Sequence, residues 1–194
     1  MDNSHLTEKQ KRILPQMKGE VRIIGGQWRG RRLAFHDRPG LRPTPARGRE
    51  TLFNWLGQSL VGWHCLDLFA GSGALGFEAA SRGAAQVVLV EQDRLACVAL
   101  RANAQRLGAE GVTVRQVQAH EWLETSGTTY DLIFLDPPFD SEEMSRVWSA
   151  LSTHLRPGGW IYCESSRGMS ESDLWREVRC TKVGQARLQL FQRR

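Results

Sequence analysis

His64-Cys65-Leu66-Asp67-Leu68-Phe69-Ala70-Gly71-Ser72-Gly73-Ala74-Leu75-Gly76 is the stretch that decides the fold. A short apolar run meets an acidic residue and a glycine loop, and the alanine-rich start of a helix follows, which is the order of a strand–turn–helix unit that opens a parallel sheet. The same rhythm continues outward. Strand His64 to Phe69 and helix Ala74 to Arg82 lead to strand Gln86 to Glu91 and helix Arg94 to Leu107. Strand Val112 to Val117, a short helical segment near Trp122, strand Tyr130 to Leu135, helix Glu142 to Leu155 and strand Trp160 to Glu164 come next. Strands separated by helices of this length predict an α/β fold, doubly wound and Rossmann-like, with a mostly parallel sheet and helices on both faces. The tail leaves this rhythm: Trp175 to Val183 and Arg187 to Gln192 flank a Gly184 turn, which predicts an antiparallel C-terminal hairpin. Upstream, Val21 to Phe35 reads as a small basic ribbon broken by Gly25-Gly26 and Arg29-Gly30. A helix over Pro45 to Gln58 follows, with Thr44 as cap and Pro45 at the first helical position.

Charge divides the chain. Residues 1–49 hold 12 Lys+Arg against 4 Asp+Glu, and residues 50–194 hold 14 against 17, so the net +5 is concentrated in front. A basic front on a nearly neutral body is an electrostatic footprint for phosphate, with Arg22, Arg29, Arg31, Arg32 and Arg42 as its candidates. The domain reading is a flexible leader at 1–20, the basic N-terminal ribbon at 21–49 and one catalytic domain at 50–194. No apolar window reaches the ~18 residues of a membrane span. Residues Met1 to Glu20 lack the apolar core of a secretory signal, which predicts a cytoplasmic protein. Cys65, Cys97, Cys163 and Cys180 are scattered, without metal-ligand spacing, and read as reduced core thiols; no metal is expected.

Gly71-Ser72-Gly73-Ala74-Leu75-Gly76 fits both nicotinamide dinucleotides and S-adenosylmethionine. Asp67 separates them. A carboxylate at that strand end repels a pyrophosphate, whereas S-adenosylmethionine carries a sulfonium and an ammonium and no phosphate. Glu91 closes the second strand, where an acidic side chain accepts hydrogen bonds from ribose hydroxyls, and Gln92 or Asp93 can add polar contacts.

Tyr130 to Leu135 runs directly into Asp136-Pro137-Pro138-Phe139, the most specific feature of the chain. Two prolines stop sheet pairing and fix the directions of neighbouring carbonyls. The amino group of a base is a poor nucleophile because its lone pair is delocalised, so methylating it requires acceptors on its hydrogens. The Asp136 carboxylate and the Pro137 carbonyl are the natural pair, and Phe139 offers a stacking face for a flipped base.

These residues, together with Arg22-Ile23-Ile24-Gly25-Gly26, Trp28-Arg29-Gly30, Leu41-Arg42-Pro43-Thr44 and Arg49-Glu50-Thr51-Leu52-Phe53-Asn54-Trp55-Leu56, resemble the class I S-adenosylmethionine methyltransferases. More closely they resemble the bacterial RsmD-type family, which methylates N2 of a guanine in 16S ribosomal RNA. The resemblance implies a seven-stranded sheet whose last strand lies antiparallel, and cofactor contacts from Asp67, Gly71, Gly73 and Glu91. It also implies an adenine contact at Gln118-Ala119 and catalysis at Asp136, Pro137 and Phe139. The implied partner of the monomeric enzyme is 16S ribosomal RNA within an assembled or assembling small subunit. Three other readings stay open on the residues alone: a DNA adenine amino-methyltransferase, a non-catalytic RNA-binding protein and a nicotinamide oxidoreductase.

Overall fold

In the computed structural model, residues 19–36, 45–137 and 143–194 are described. Two antiparallel strands, β1 (Gly19–Arg22) and β2 (Arg32–Phe35), form the N-terminal ribbon, and α1 (Ala46–Leu56) follows. The main body alternates β3 (His64–Asp67), α2 (Ala74–Ser81), β4 (Gln86–Glu91), α3 (Arg94–Leu107), β5 (Val112–Gln116), α4 (Ala119–Thr125) and β6 (Tyr130–Leu135). Two short helices, α5 (Glu143–Trp148) and α6 (Leu151–His154), lead to β7 (Leu155–Ser165) and the hairpin β8 (Trp175–Val183) and β9 (Ala186–Arg193).

The seven strands of the main sheet lie in the order β5-β4-β3-β6-β7-β9-β8. β3 to β7 pair in parallel, and β9 runs antiparallel to both of its neighbours. The expected seven strands and antiparallel last strand are therefore present. The chain steps outward from β3 to β5 and then crosses to β6 on the other side of β3. Ligands of doubly wound sheets sit at the carboxyl ends of the strands beside such a switch.

Strand alternation divides the core into two layers. Cys65, Leu89, Leu132, Phe134 and Tyr162 face a layer that includes Leu52 and Phe53 of α1, Phe77 of α2 and Val21, Ile23, Leu33 and Phe35 of the ribbon. Leu66, Val90, Ile133, Leu135, Ile161 and Cys163 face the other, with Val147, Leu151, Trp175 and Phe191. Side chains such as Phe53, Phe77 and Phe134, all fully buried, contribute ~1.5–3 kcal/mol each.

Several boundaries differ from the sequence reading by one or two residues, β1 starts at Gly19 inside the expected leader, and four differences are structural. α1 starts at Ala46; Pro45 is the N-cap, with φ −54° and ψ 146° and no side-chain cap bond, and the expected cap Thr44 lies outside the described residues. β3 stops at Asp67, so Leu68 and Phe69 already belong to the loop. The single helix expected over Glu142 to Leu155 is two, because the chain tightens through a bond from Ala150 N to Val147 O of 3.0 Å. Met144, Val147 and Leu151 keep helical spacing across that break, so periodicity could not show it. β7 begins five residues earlier than Trp160: Leu155 pairs with Tyr130, and Pro157-Gly158-Gly159, a turn by composition, is absorbed where the β6–β7 register shifts.

The ribbon is fastened by charge. Glu78 of α2, fully buried, accepts the amides of Ile24 at 2.8 Å and Gly25 at 2.7 Å. It pairs with Arg82 at 2.8 Å and Arg49 at 3.3 Å, both buried. Arg49 also donates to the carbonyl of Arg22 at 3.0 Å. Burial lowers the pKa of Arg49 and Glu78 opposes that shift.

Candidate active site

Four carboxylates stand at the carboxyl ends of neighbouring strands: Glu91 on β4, Asp67 on β3, Asp136 just beyond β6, and Glu164 on β7. Side chains alternate faces along a strand. Glu91 therefore follows Leu89, Asp67 follows Cys65, Asp136 follows Phe134 and Glu164 follows Tyr162, all onto the face covered by α1, α2 and the ribbon. Strands ~4.8 Å apart make this a row of acids across the sheet's edge.

Asp67 is 1% exposed. One carboxylate oxygen accepts the Gly76 amide at 3.1 Å. The other is buried without a well-formed hydrogen bond, the Phe69 amide giving electrostatic help only. Burial raises the Asp67 pKa to about 7; the charges of Asp136 and Glu91 push the same way and the Gly76 amide opposes them. A buried acceptor left unsatisfied costs ~1–3 kcal/mol, so the site is built for a donor or a cation. Gly76 lets α2 come close: a Cβ there would stand 2.2 Å from Leu89 Cδ2 and 3.3 Å from Asp67 Oδ2. Gly73, with φ 78°, caps α2 in the left-handed region that favours glycine, and a Cβ would stand 2.6 Å from Leu100 Cδ2.

Glu91 is 7% exposed and holds two loops at once, accepting Gly71 N at 2.9 Å and Asp93 N at 2.8 Å. Asp93 in turn caps α3 through Ala96 N at 2.8 Å. Gln92 is exposed beside it. Ala119 is buried in the first turn of α4 and packs into the far layer, so it can offer a ligand only backbone. Gln118, just before it, exchanges hydrogen bonds with Glu121 in a capping box. Asp67, Gly71, Gly73, Glu91 and Gln92 thus cluster around the β3 and β4 ends, with Ala119 one strand further.

Asp136 and Pro137 are half-buried at the end of β6. Phe139 lies outside the described residues, as does Arg42. The electrostatic influence of Asp136 reaches Asp67, Tyr162 and Glu164. Sequence reasoning missed Glu164. It is 5% exposed, its carboxylate accepts the Tyr162 hydroxyl at 2.6 Å, and burial, then Asp136, raises its pKa to about 8 against the lowering effect of that bond. The signal available was its place at the end of the fifth parallel strand, where a lone glutamate read as an ordinary boundary residue.

The candidate phosphate-binding arginines lie elsewhere. Arg22, Arg29, Arg31 and Arg32 are exposed on the ribbon and its turn. Arg22 and Arg32 are cross-strand partners, and Arg32 pairs with Glu20 at 2.9 Å on the surface. Arg106 at the end of α3 joins them, donating to the Arg32 carbonyl and receiving the influence of Arg31. The ribbon turn packs on Ser81, where α2 ends. These helices run away from the strand ends, so the ribbon turn on Ser81 lies a helix length from the glycine loop, ~12 Å along the eight residues of α2 at ~1.5 Å per residue. The structure brings the acids together and keeps the arginines apart from them.

The family model described as Conserved hypothetical protein 95 matches residues 21–192. The Ribosomal RNA small subunit methyltransferase D of Escherichia coli K12 is 43% identical over 180 residues, covering 90% of this chain and 91% of that protein. Its namesake in Haemophilus influenzae is 42% identical, covering 79% of this chain and 82% of its own length. A solved structure described as the putative methyltransferase yhhF from Escherichia coli superposes with a TM-score of 0.82 at 43% identity, covering 90% of this chain and 98% of that one.

Proposed function

The chain belongs to this family of small-subunit ribosomal RNA methyltransferases, and from that premise we propose that it methylates the N2 amino group of a guanine in 16S ribosomal RNA, with S-adenosylmethionine as donor. The observation that carries the chemistry is the row of acids at the sheet's edge, with one oxygen of Asp67 buried and unsatisfied. A cationic methionine moiety fits that oxygen; a pyrophosphate does not.

When bound, S-adenosylmethionine supplies an electrophilic methyl on its sulfonium. Asp67 and the Gly71 to Gly73 loop hold the methionine part, and Glu91, with Gln92 at its side, holds the ribose. Ala119 backs the adenine. Asp136 accepts one hydrogen of the guanine amino group and the Pro137 carbonyl the other, which frees the nitrogen lone pair for attack. Phe139 supplies the stacking face. Direct displacement requires positioning rather than a covalent enzyme intermediate. Arg22, Arg29, Arg31 and Arg32 attract RNA phosphates at a distance from the chemistry, so a substrate must be long enough to reach both faces, and Arg42 adds its charge to the same attraction. That favours an assembled or assembling small subunit. No helix among the described residues is long and apolar enough to cross a membrane, and we place the enzyme, as a monomer, in the cytoplasm.

Labelled methyl transfer from S-adenosylmethionine to small subunits and to naked 16S RNA from cells lacking the protein, with duplex DNA beside them, tests this reading. Label in N2-methylguanosine is the expected result. Label only in adenine of DNA would move the enzyme to the rival class, and donor binding without transfer to any nucleic acid would leave only a binding protein.

A further inference from the structure

Glu164 has no part in the chemistry above, yet it occupies the next strand end beyond Asp136. Leu135 pairs with Cys163 across β6 and β7, so Asp136 and Glu164 follow one step later on adjacent strands. Phe134 stacks edge-on against Tyr162, centroids 6.4 Å apart, and Phe53 of α1 stands 6.4 Å from Phe134 on the same face. The row therefore has a direction: ribose at β4, methionine at β3, amino group at β6, and then β7. A base whose amino group sits at Asp136 must extend its next edge atoms toward or away from β7. In guanine the atom beside the amino-bearing carbon on the Watson–Crick edge is N1, which carries a hydrogen; in adenine and in 2-aminopurine N1 is a bare acceptor.

We propose that Glu164 reads the N1–H of the target guanine and so makes the site selective for guanine among bases; this rests on the methylation reading above. The chemistry is complementary. Asp136, the Pro137 carbonyl and Glu164 would be acceptors facing the three hydrogens of guanine's N1 and N2. Tyr162 orients the carboxylate by donating to Oε1 at 2.6 Å. Above about pH 8, where Glu164 is ionised, a bare N1 facing the same carboxylate meets lone pair against lone pair. Burial that disfavours the charged carboxylate in the free protein is relieved when the N1–H donates to it, so the bond is strongest with the donor-bearing base.

The test compares RNA with guanine or 2-aminopurine at the target position, the latter keeping the N2 amino group but lacking the N1 hydrogen. Both are placed by ligation into 16S RNA and assembled into subunits. Assayed above about pH 8, where the Glu164 carboxylate is ionised, wild-type kcat/KM should favour guanine by at least ~10-fold, as for loss of a hydrogen bond to a charged group. Glu164→Gln keeps an acceptor for Tyr162 and brings an N–H that can meet a bare N1. Its guanine kcat/KM should fall by ~10-fold or more, while the guanine to 2-aminopurine ratio drops toward one or reverses. Donor binding by Glu164→Gln, measured by calorimetry, should be unchanged.

A purely structural glutamate would slow both substrates alike, and an unchanged ratio in the variant overturns the inference. Equal wild-type rates on both RNAs overturn it without any variant, which covers a Glu164→Gln protein that does not fold. Methylation of neither RNA overturns the functional reading and this inference together.

Discussion

Replacing Glu78 by glutamine should loosen the whole molecule, not only the ribbon it touches. The variant keeps the volume and removes one buried negative charge. Arg49 and Arg82, 2% and 5% exposed at their side chains, are left as buried cations. Breaking a buried pair in this way costs ~3–5 kcal/mol, and one of the Ile24 and Gly25 amides loses its acceptor at a further ~1–3 kcal/mol. These terms share partners and do not add fully. Taking ~3–5 kcal/mol, the melting temperature should fall by ~6–20 °C for a chain of this size. Differential scanning calorimetry measures that fall, and hydrogen exchange at Ile24 and Gly25 reports whether the ribbon releases first. A Glu78→Gln protein within ~1 kcal/mol of wild type, with both amides still protected, would refute the fastening of the ribbon by this ion cluster.

Four further outcomes follow from the site. Asp136→Ala should leave donor binding intact and lower methyl transfer at least ~100-fold; partial activity in Asp136→Asn would mean that positioning matters more than charge. Glu91→Ala should weaken S-adenosylmethionine binding by ~1–3 kcal/mol in calorimetric titration, and equal affinities would remove Glu91 from the site. Burial raises Asp67 to about 7, so the folded protein keeps a proton that the unfolded chain has already released. That stabilisation is full below the ordinary carboxylate range and is lost as pH rises through about 7. The melting temperature of wild type relative to Asp67→Asn should fall over that interval and then level; parallel curves would contradict it. Replacing Arg29 and Arg31 by alanine should make RNA binding less salt-dependent, the slope falling by about one unit for each phosphate that the variant no longer neutralises. Affinities over a salt series measure it, and an unchanged slope would remove these arginines from the footprint.

The parallel sheet was legible because its strands are short apolar runs bounded by glycine and acid, and β4, α3 and β6 have the boundaries read from sequence. The α5–α6 break was not legible, since Met144, Val147 and Leu151 keep helical spacing through it. Asp67 and Asp136 could be found because each ends a strand before a glycine or proline turn, and Glu91 because it closes the strand that follows the glycine loop. Glu164 could not: its significance arises only when β7 is laid next to β6 and Tyr162 is seen to donate to it. The basic ribbon was legible from charge, but its fastening was not. Glu78, a helical glutamate by pattern, becomes a buried counter-ion only through bonds to residues 29 and 53–54 positions earlier in the chain. Arg106 was missed for the same reason, joining the ribbon arginines from the end of α3.

The central claim, that this chain places a methyl group on N2 of a guanine in 16S ribosomal RNA through the Asp136 corner, is tested most directly by mass spectrometry of nuclease-digested 16S RNA from cells lacking the protein. The account predicts the loss of one N2-methylguanosine, restored by the wild-type chain and not by Asp136→Ala. A full complement of N2-methylguanosine in the deleted cells, or its restoration by Asp136→Ala, would contradict it.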